Sequence, residues 1–439
     1  MIAALCLLYA TSSCMRVEVS YRDVGGPDAF SPDAARPDAA RPDAPGMDAP
    51  TDDANDLDAA AFDTASDVYV PTGADGTRAV LAAVGEHVVR ASLRDFETAA
   101  DRLVAATDAA RTSDTAETRD AARAAWREAM RIWQRIEVLQ VGPAGLALFT
   151  LGGRGLRDEI HPWPFVSYCR MDQGTVDGLY ADAGTLRPEP VSARGLSAIE
   201  YVLFEESGTN RCGPTAVINT SGSWAALGDV EVARRRRVYA HSAAVLVAER
   251  ARELRLAWDP AGEDFATTLA TAGAGSTLFP SAQAGLNALS DALFYLYKDV
   301  VDLKLGIPAG LYVDCATATC PDNVESPWAD ASLDHIRVNV ETFRDAYLGA
   351  PPGLDAAGFD DLLRSMGAAE LDTRIQTAIA TALAAIDPVV VPLEVAVDTD
   401  HEDVVALHDA IRALADLFKV EVLTLLDLEL PTRVEGDND

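Results

Sequence analysis

This chain is short of positive charge. Its 439 residues carry 36 Lys and Arg against 69 Asp and Glu, for a formal net charge of −33. Nucleic acid is excluded as a partner, because phosphate binding needs a basic surface. Aromatic residues are sparse, at 7%. Histidines number six, and none falls in the His-Glu-x-x-His array of known zinc proteases. Gly195-Leu196-Ser197-Ala198-Ile199 is not the Gly-x-Ser-x-Gly elbow of a serine hydrolase, and no strand pattern precedes it. Strand-like alternation persists nowhere for long. The apolar run Ile2 to Tyr9 is far too short to span a bilayer.

What remains is helical. Half of the residues are hydrophobic, Ala and Leu dominate them, and long stretches lack Gly and Pro. Such a composition favours helices packed on helices. Periodicity begins near Arg78, and a second helix runs from about 114 to 140 with Trp126, Met130 and Trp133 inward. Gly142-Pro143 stops it. An irregular segment from 142 to 194 follows, then helices near 193–206 and 229–257. Further helices are expected at 281–304, 331–348, 355–367, 371–386 and 400–426. In the last, Val404, Leu407, Ile411, Leu414 and Phe418 keep a 3–4–3–4 spacing.

The N-terminus reads as an address. Ala10-Thr11-Ser12-Ser13 stands directly before Cys14, and small residues before a cysteine suggest a bacterial lipoprotein signal over residues 1–14, with Cys14 as the lipidation site. Met15 after Cys14 favours the outer membrane. Residues 15–72 repeat Pro-Asp-Ala at 32–34, 37–39 and 42–44; Pro and like charge leave too little apolar surface to fold, so a disordered tether is expected. Four cysteines fall in the region expected to fold. An even number in an exported chain suggests disulfides. The favoured pairings are Cys169–Cys212, bridging two loops, and Cys315–Cys320, closing a small one. A zinc site is the alternative.

The stretch Gly195 to Phe204 carries the most information. Ser197 and Glu200 sit three apart on one helical face amid apolar Leu196, Ile199, Val202 and Leu203. An acid in such surroundings needs a partner. The segment resembles the imelysin signature Gly-x-His-x-x-Glu, with Ser197 where the family has histidine. Ile160 with Trp163-Pro164, the run Asp302 to Pro308 containing Lys304, Glu325-Ser326 with Trp328, Ser332 and Asn339, and the tail Leu428 to Asp439 resemble further family elements in the same order.

The resemblance implies an all-α fold of two four-helix-bundle-like domains related by a pseudo-two-fold, here 73–270 and 271–439, with a site in the cleft between them. It implies an exported or surface-attached bacterial protein, often linked to iron acquisition, and so an envelope partner. The cleft residues it singles out are Ser197, Glu200, Tyr201, Trp163, Lys304, Glu325 and Ser326. In the full signature His and Glu together suit iron or zinc, but a serine hydroxyl ligates poorly. Glu200 therefore reads first as a buried acid paired with Lys304 or Arg157, and second as a metal ligand. His161, beside Trp163 in the irregular segment, is the histidine best placed to compensate. His335 lies on the helix opened by Ser332. His401 and His408 share a face of the last helix, where solvated charge is the ordinary reading. The functional expectation is a non-enzymatic lipoprotein binding a metal ion, small ligand or partner. An M75-type metallopeptidase and a purely structural or interaction protein are the alternatives.

Overall fold

The computed structural model describes residues 70–312, 315 and 317–431. The expected signal over 1–14 with Cys14, the expected tether up to residue 69 and the end of the tail lie outside them. Among the described residues the regular structure is helical throughout.

Helix α1 (Ala74–Ala83) runs through a π-helical stretch, Val84–Arg90, into α2 (Ala91–Thr112). Helix α3 (Ala116–Val138) starts at Thr115, whose hydroxyl accepts from the Thr118 N–H, and buries Trp126, Met130 and Trp133. The signature becomes α4 (Gly195–Phe204), and every residue from Gly195 to Leu203 is buried. Helix α5 (Ser223–Trp258) begins earlier than its periodicity suggests, because Gly228 at φ 71° lets a preceding turn join it across a kink. A short α6 (Phe265–Ala270) and α7 (Ala282–Leu293) follow.

The helix expected over 281–304 is two pieces. After α7 the chain re-forms as a π-helix, Leu296–Gly306. Then come α8 (Ser332–Tyr347), α9 (Ala369–Ala384) and α10 (His401–Leu417), the last running into a π-helical turn at Phe418–Val422. The segment 142–194 is less irregular than expected. It holds short helices at Leu156–Ile160, Tyr168–Asp177 and Ala183–Leu186.

Helix α2 packs on α3 and α5, and α4 lies on α5; α9 packs on α10, and α8 crosses onto α3. One continuous apolar cluster runs from Val80 and Trp126 to Leu407 and Phe418, so the helices on either side of residue 270 share a core. Both favoured disulfides, Cys169–Cys212 and Cys315–Cys320, are formed. No helix of the described residues is long and apolar enough to cross a membrane.

Candidate functional site

Helix α3 carries two polar residues on its inward stripe. Gln134 and Glu137 follow Met130 and Trp133 at helical spacing, and both are buried. A buried carboxylate must be compensated, and here His161, Arg157, Lys304 and Tyr295 do so for Glu137.

His161 is the C-cap of the short helix Leu156–Ile160 and is fully buried. Its Nδ1 lies 2.8 Å from Glu137 Oε1 and 3.8 Å from Glu325 Oε1. Gly195 makes this seat possible. At φ 75° its Cβ position would meet the Ile160 carbonyl oxygen at 2.4 Å, so a side chain there would push α4 off the segment bearing His161. Lys304 comes from the π-helix, a form that recurs at functional sites. Its ammonium lies 2.7 Å from Glu325 Oε2 and 3.9 Å from Glu137 Oε2. It donates to Gln134 Oε1 at 2.7 Å and to Asn339 Oδ1 at 2.8 Å. Gln134 Nε2 donates to Glu325 Oε1 at 2.9 Å, and Tyr295 OH donates to Glu137 Oε2 at 3.0 Å. Arg157 approaches Glu137 at 3.7 Å and donates to the Trp163 carbonyl.

Burial pushes the Glu137 carboxyl up, but His161, Lys304 and Arg157 outweigh it and hold the group far below the usual carboxylate range. One ligand-type atom from each of Glu137, His161 and Glu325 lies within 4.8 Å of the others. An imidazole with two carboxylates suits iron or zinc. His161 Nε2 has no hydrogen-bond partner among the described residues.

Glu200 lies outside this trio. Its Oε1 accepts from the N–H groups of Trp328 and Ala329 at 3.0 and 3.1 Å, so it ties α4 to the loop before α8. The role expected of Lys304 or Arg157 is thus taken by backbone, while those two side chains turn to Glu325 and Glu137. Burial pushes the Glu200 carboxyl up to about 8, with nearby Glu325 adding to the rise, while the two N–H groups and the Ser326 hydroxyl pull it back. It therefore holds a proton near neutral pH. Ser326 Oγ in turn lies 3.0 Å from His335 Nε2, and burial lowers His335 to about 4, leaving that ring neutral. Ser197 is buried, and its hydroxyl has no partner among the described residues.

The structure thus brings Lys304, Glu325 and His161 into one network and joins Glu200 and Ser326 to its edge. The Trp163 ring centre is 6.0 Å from Lys304 Nζ. Tyr201 is not part of it; its hydroxyl donates to Asp172 at 3.0 and 2.9 Å. His401 and His408 lie on α10, where His408 Nδ1 pairs with Asp409. Glu137, Gln134, Tyr295 and Asn339 were missed as site residues. A signal for the first two existed in the inward stripe of α3, where a carboxylate and an amide extend the Met130–Trp133 face. An open cavity of about 450 Å3 lies elsewhere, lined by Arg119, Arg123, Arg236 and Arg237 and by no residue of this network.

Fold and site define a class: an all-helical protein whose core holds a mixed network of acids, imidazole and lysine. The family model for imelysin matches residues 89–420, and the chain belongs to the imelysin family. Two solved structures share its fold. One, called an iron-regulated protein A precursor, is from Parabacteroides distasonis; it is 19% identical, with a TM-score of 0.64, covering 81% of this chain and 96% of that one. The other, an imelysin-like protein from Psychrobacter arcticus, is 17% identical with a TM-score of 0.63, covering 82% and 99%. Among curated proteins, none matches the chain.

Proposed function

We propose that this chain is a non-enzymatic imelysin-family protein of the bacterial envelope, held by a lipid on Cys14, that binds an iron or zinc ion through Glu137, His161 and Glu325. The observation that carries the metal reading is the convergence of those three ligand-type groups within 4.8 Å. The name of the Parabacteroides relative, an iron-regulated protein, is consistent with iron as the ion. Metal would compete with the Lys304 ammonium for Glu325. Lys304 keeps two further acceptors in Gln134 and Asn339, so it can yield Glu325 without being stranded. Metal binding should strengthen as pH rises and ligands lose protons.

Burial favours binding over catalysis. A hydrolytic metal needs an open position for water and substrate, whereas Glu137, His161 and Glu325 are at most 2% exposed. A second reading rests on Lys304 itself. Its ammonium already neutralises Glu325 at 2.7 Å, which supports a structural or interaction protein whose lysine serves in place of a metal. Metal analysis and calorimetric titration of the purified chain with zinc and iron salts separate the two. Binding lost on Glu325→Gln supports the metal site. No binding leaves the structural reading. Chelator-sensitive cleavage of a protein substrate would instead support a metallopeptidase.

A further inference from the structure

Residues 138–153 contain no Asp, Glu, Lys or Arg, in a chain that is 24% charged. At the tip of this stretch Leu148 is 90% exposed, Phe149 77% and Leu151 51%. Large apolar side chains grouped in solvent mark an interaction site.

The tip is a built turn. The N–H groups of Phe149 and Thr150 both donate to the Leu146 carbonyl, at 3.1 and 2.9 Å, and Gly153 N–H donates to the Thr150 carbonyl at 2.9 Å. Gly155 N–H closes the base on the Gly145 carbonyl at 2.8 Å. Gly145 and Gly153 allow this closure, since a Cβ on either would sit 2.4 to 2.5 Å from an oxygen of the same loop. These bonds fix the turn and hold Leu148 and Phe149 outward at its tip, a depth that suits the hydrated interface of a bilayer and not its hydrocarbon core.

Its location also matters. Gly142 and Gly152 rest the loop on Phe265, the first residue of α6, and on Leu278. Helix α6 packs in turn against α1, into which the chain feeds from residue 70 after 69 further residues. The base of the loop and α1 therefore pack on the same short helix.

We infer that the 146–151 loop is a membrane-contact element that buries Leu148, Phe149 and Leu151 in the interface of a zwitterionic phospholipid bilayer. The chemistry is apolar. The tip has no basic residue, and a chain of net charge −33 gains nothing from anionic headgroups. This rests on the envelope reading for location, since the Cys14 lipid would hold the tip near a bilayer.

The test separates tip from anchor. The full chain carrying Cys14→Ser, with no lipid attached, is floated with phosphatidylcholine vesicles, beside the same chain with Leu148→Ser and Phe149→Ser added. Residues 2–9 are common to both and cancel. The double change should lower vesicle partition by roughly tenfold to a hundredfold, with little effect of salt. Both side chains are exposed, so an unchanged melting curve confirms that the fold is kept. Equal partition of the two chains, or binding that salt abolishes, overturns the inference. Tip-dependent capture of an envelope protein without vesicle binding overturns it in favour of a protein partner. Failure of the native chain to be lipidated would sink the envelope anchor while leaving the partition difference intact.

Discussion

Two buried charged clusters flank α4, and they are built differently. On one side Arg236 lies among Asp172, Tyr201, Glu205 and Thr209. Its guanidinium donates to the Glu205 and Thr209 carbonyls at 2.8 and 2.9 Å and reaches Tyr201 OH at 3.1 Å and Asp172 at 3.4 Å. All of these residues fall within 172–236, close to the Cys169–Cys212 bridge. The arginine leaves its own Nε without a partner among the described residues, and that donor cannot ligate a metal. On the other side, Glu137, His161, Lys304 and Glu325 come from both halves of the chain, and a histidine nitrogen is left open. The first cluster is local, and Arg236 and Glu205 also line the open cavity of about 450 Å3. The second gathers distant segments around groups that can exchange a proton or an ammonium for a metal. A buried charge cluster thus points to metal binding through the ligand-type atoms it gathers more than through its charge.

The largest expected effect sharpens that contrast. Lys304→Met strands Glu325 and Glu137 without their ammonium, and Arg236→Met strands Asp172. Each should cost about 3–5 kcal/mol of stability in denaturant titration. Added zinc should restore much of the loss for Lys304→Met and none for Arg236→Met. Equal behaviour of the two variants toward zinc would erase the distinction between the clusters.

Glu200 should give a smaller, pH-dependent effect. Its folded-state carboxyl titrates at about 8 against an ordinary 4.5. Between these values the unfolded chain has lost a proton that the folded chain keeps, so stability falls as pH rises through this window. One proton held by the folded chain alone changes stability by about 1.4 kcal/mol for each pH unit crossed. The wild type should therefore lose on the order of 3 kcal/mol on going from about pH 5 to about pH 8. Glu200→Gln keeps an acceptor for the Trp328 and Ala329 N–H groups and should flatten that slope. Unfolding curves at the two pH values decide it; a parallel slope in the variant would mean that Glu200 does not hold its proton.

Much of this was legible in the sequence, and the limit has a physical cause. Helix periodicity, the stop at Gly142-Pro143 and the Cys315–Cys320 pairing are local statements, while the Cys169–Cys212 pairing spans 43 residues and rests on the even cysteine count and the loops flanking the signature helix. The family resemblance carried Lys304, Glu325 and Ser326 into the site, and His161 was the histidine singled out. Glu137 was passed over although it extends the inward Trp126–Met130–Trp133 stripe, and only the third dimension brings His161 and Lys304 to it. The role of Glu200 was half legible. Its burial followed from its apolar neighbours, but its partners are backbone N–H groups of Trp328 and Ala329, which no side-chain pattern reveals. Phe149 and its neighbours read as part of an irregular segment, since exposure cannot be told from composition.

The smallest effect is at the departure from the signature. Ser197 buries a hydroxyl with no partner among the described residues, so Ser197→Ala should be neutral or stabilising by up to about 1 kcal/mol, measured by thermal or denaturant unfolding. A clear destabilisation would show that the hydroxyl has a partner after all.

The central claim is that Glu137, His161 and Glu325 form a metal site. Calorimetric titration of zinc into the intact, metal-free chain, repeated with His161→Ala, tests it most directly. The account predicts one bound ion per chain, with affinity rising with pH and reduced at least tenfold in the variant. Absence of binding, or binding that His161→Ala leaves unchanged, would contradict it.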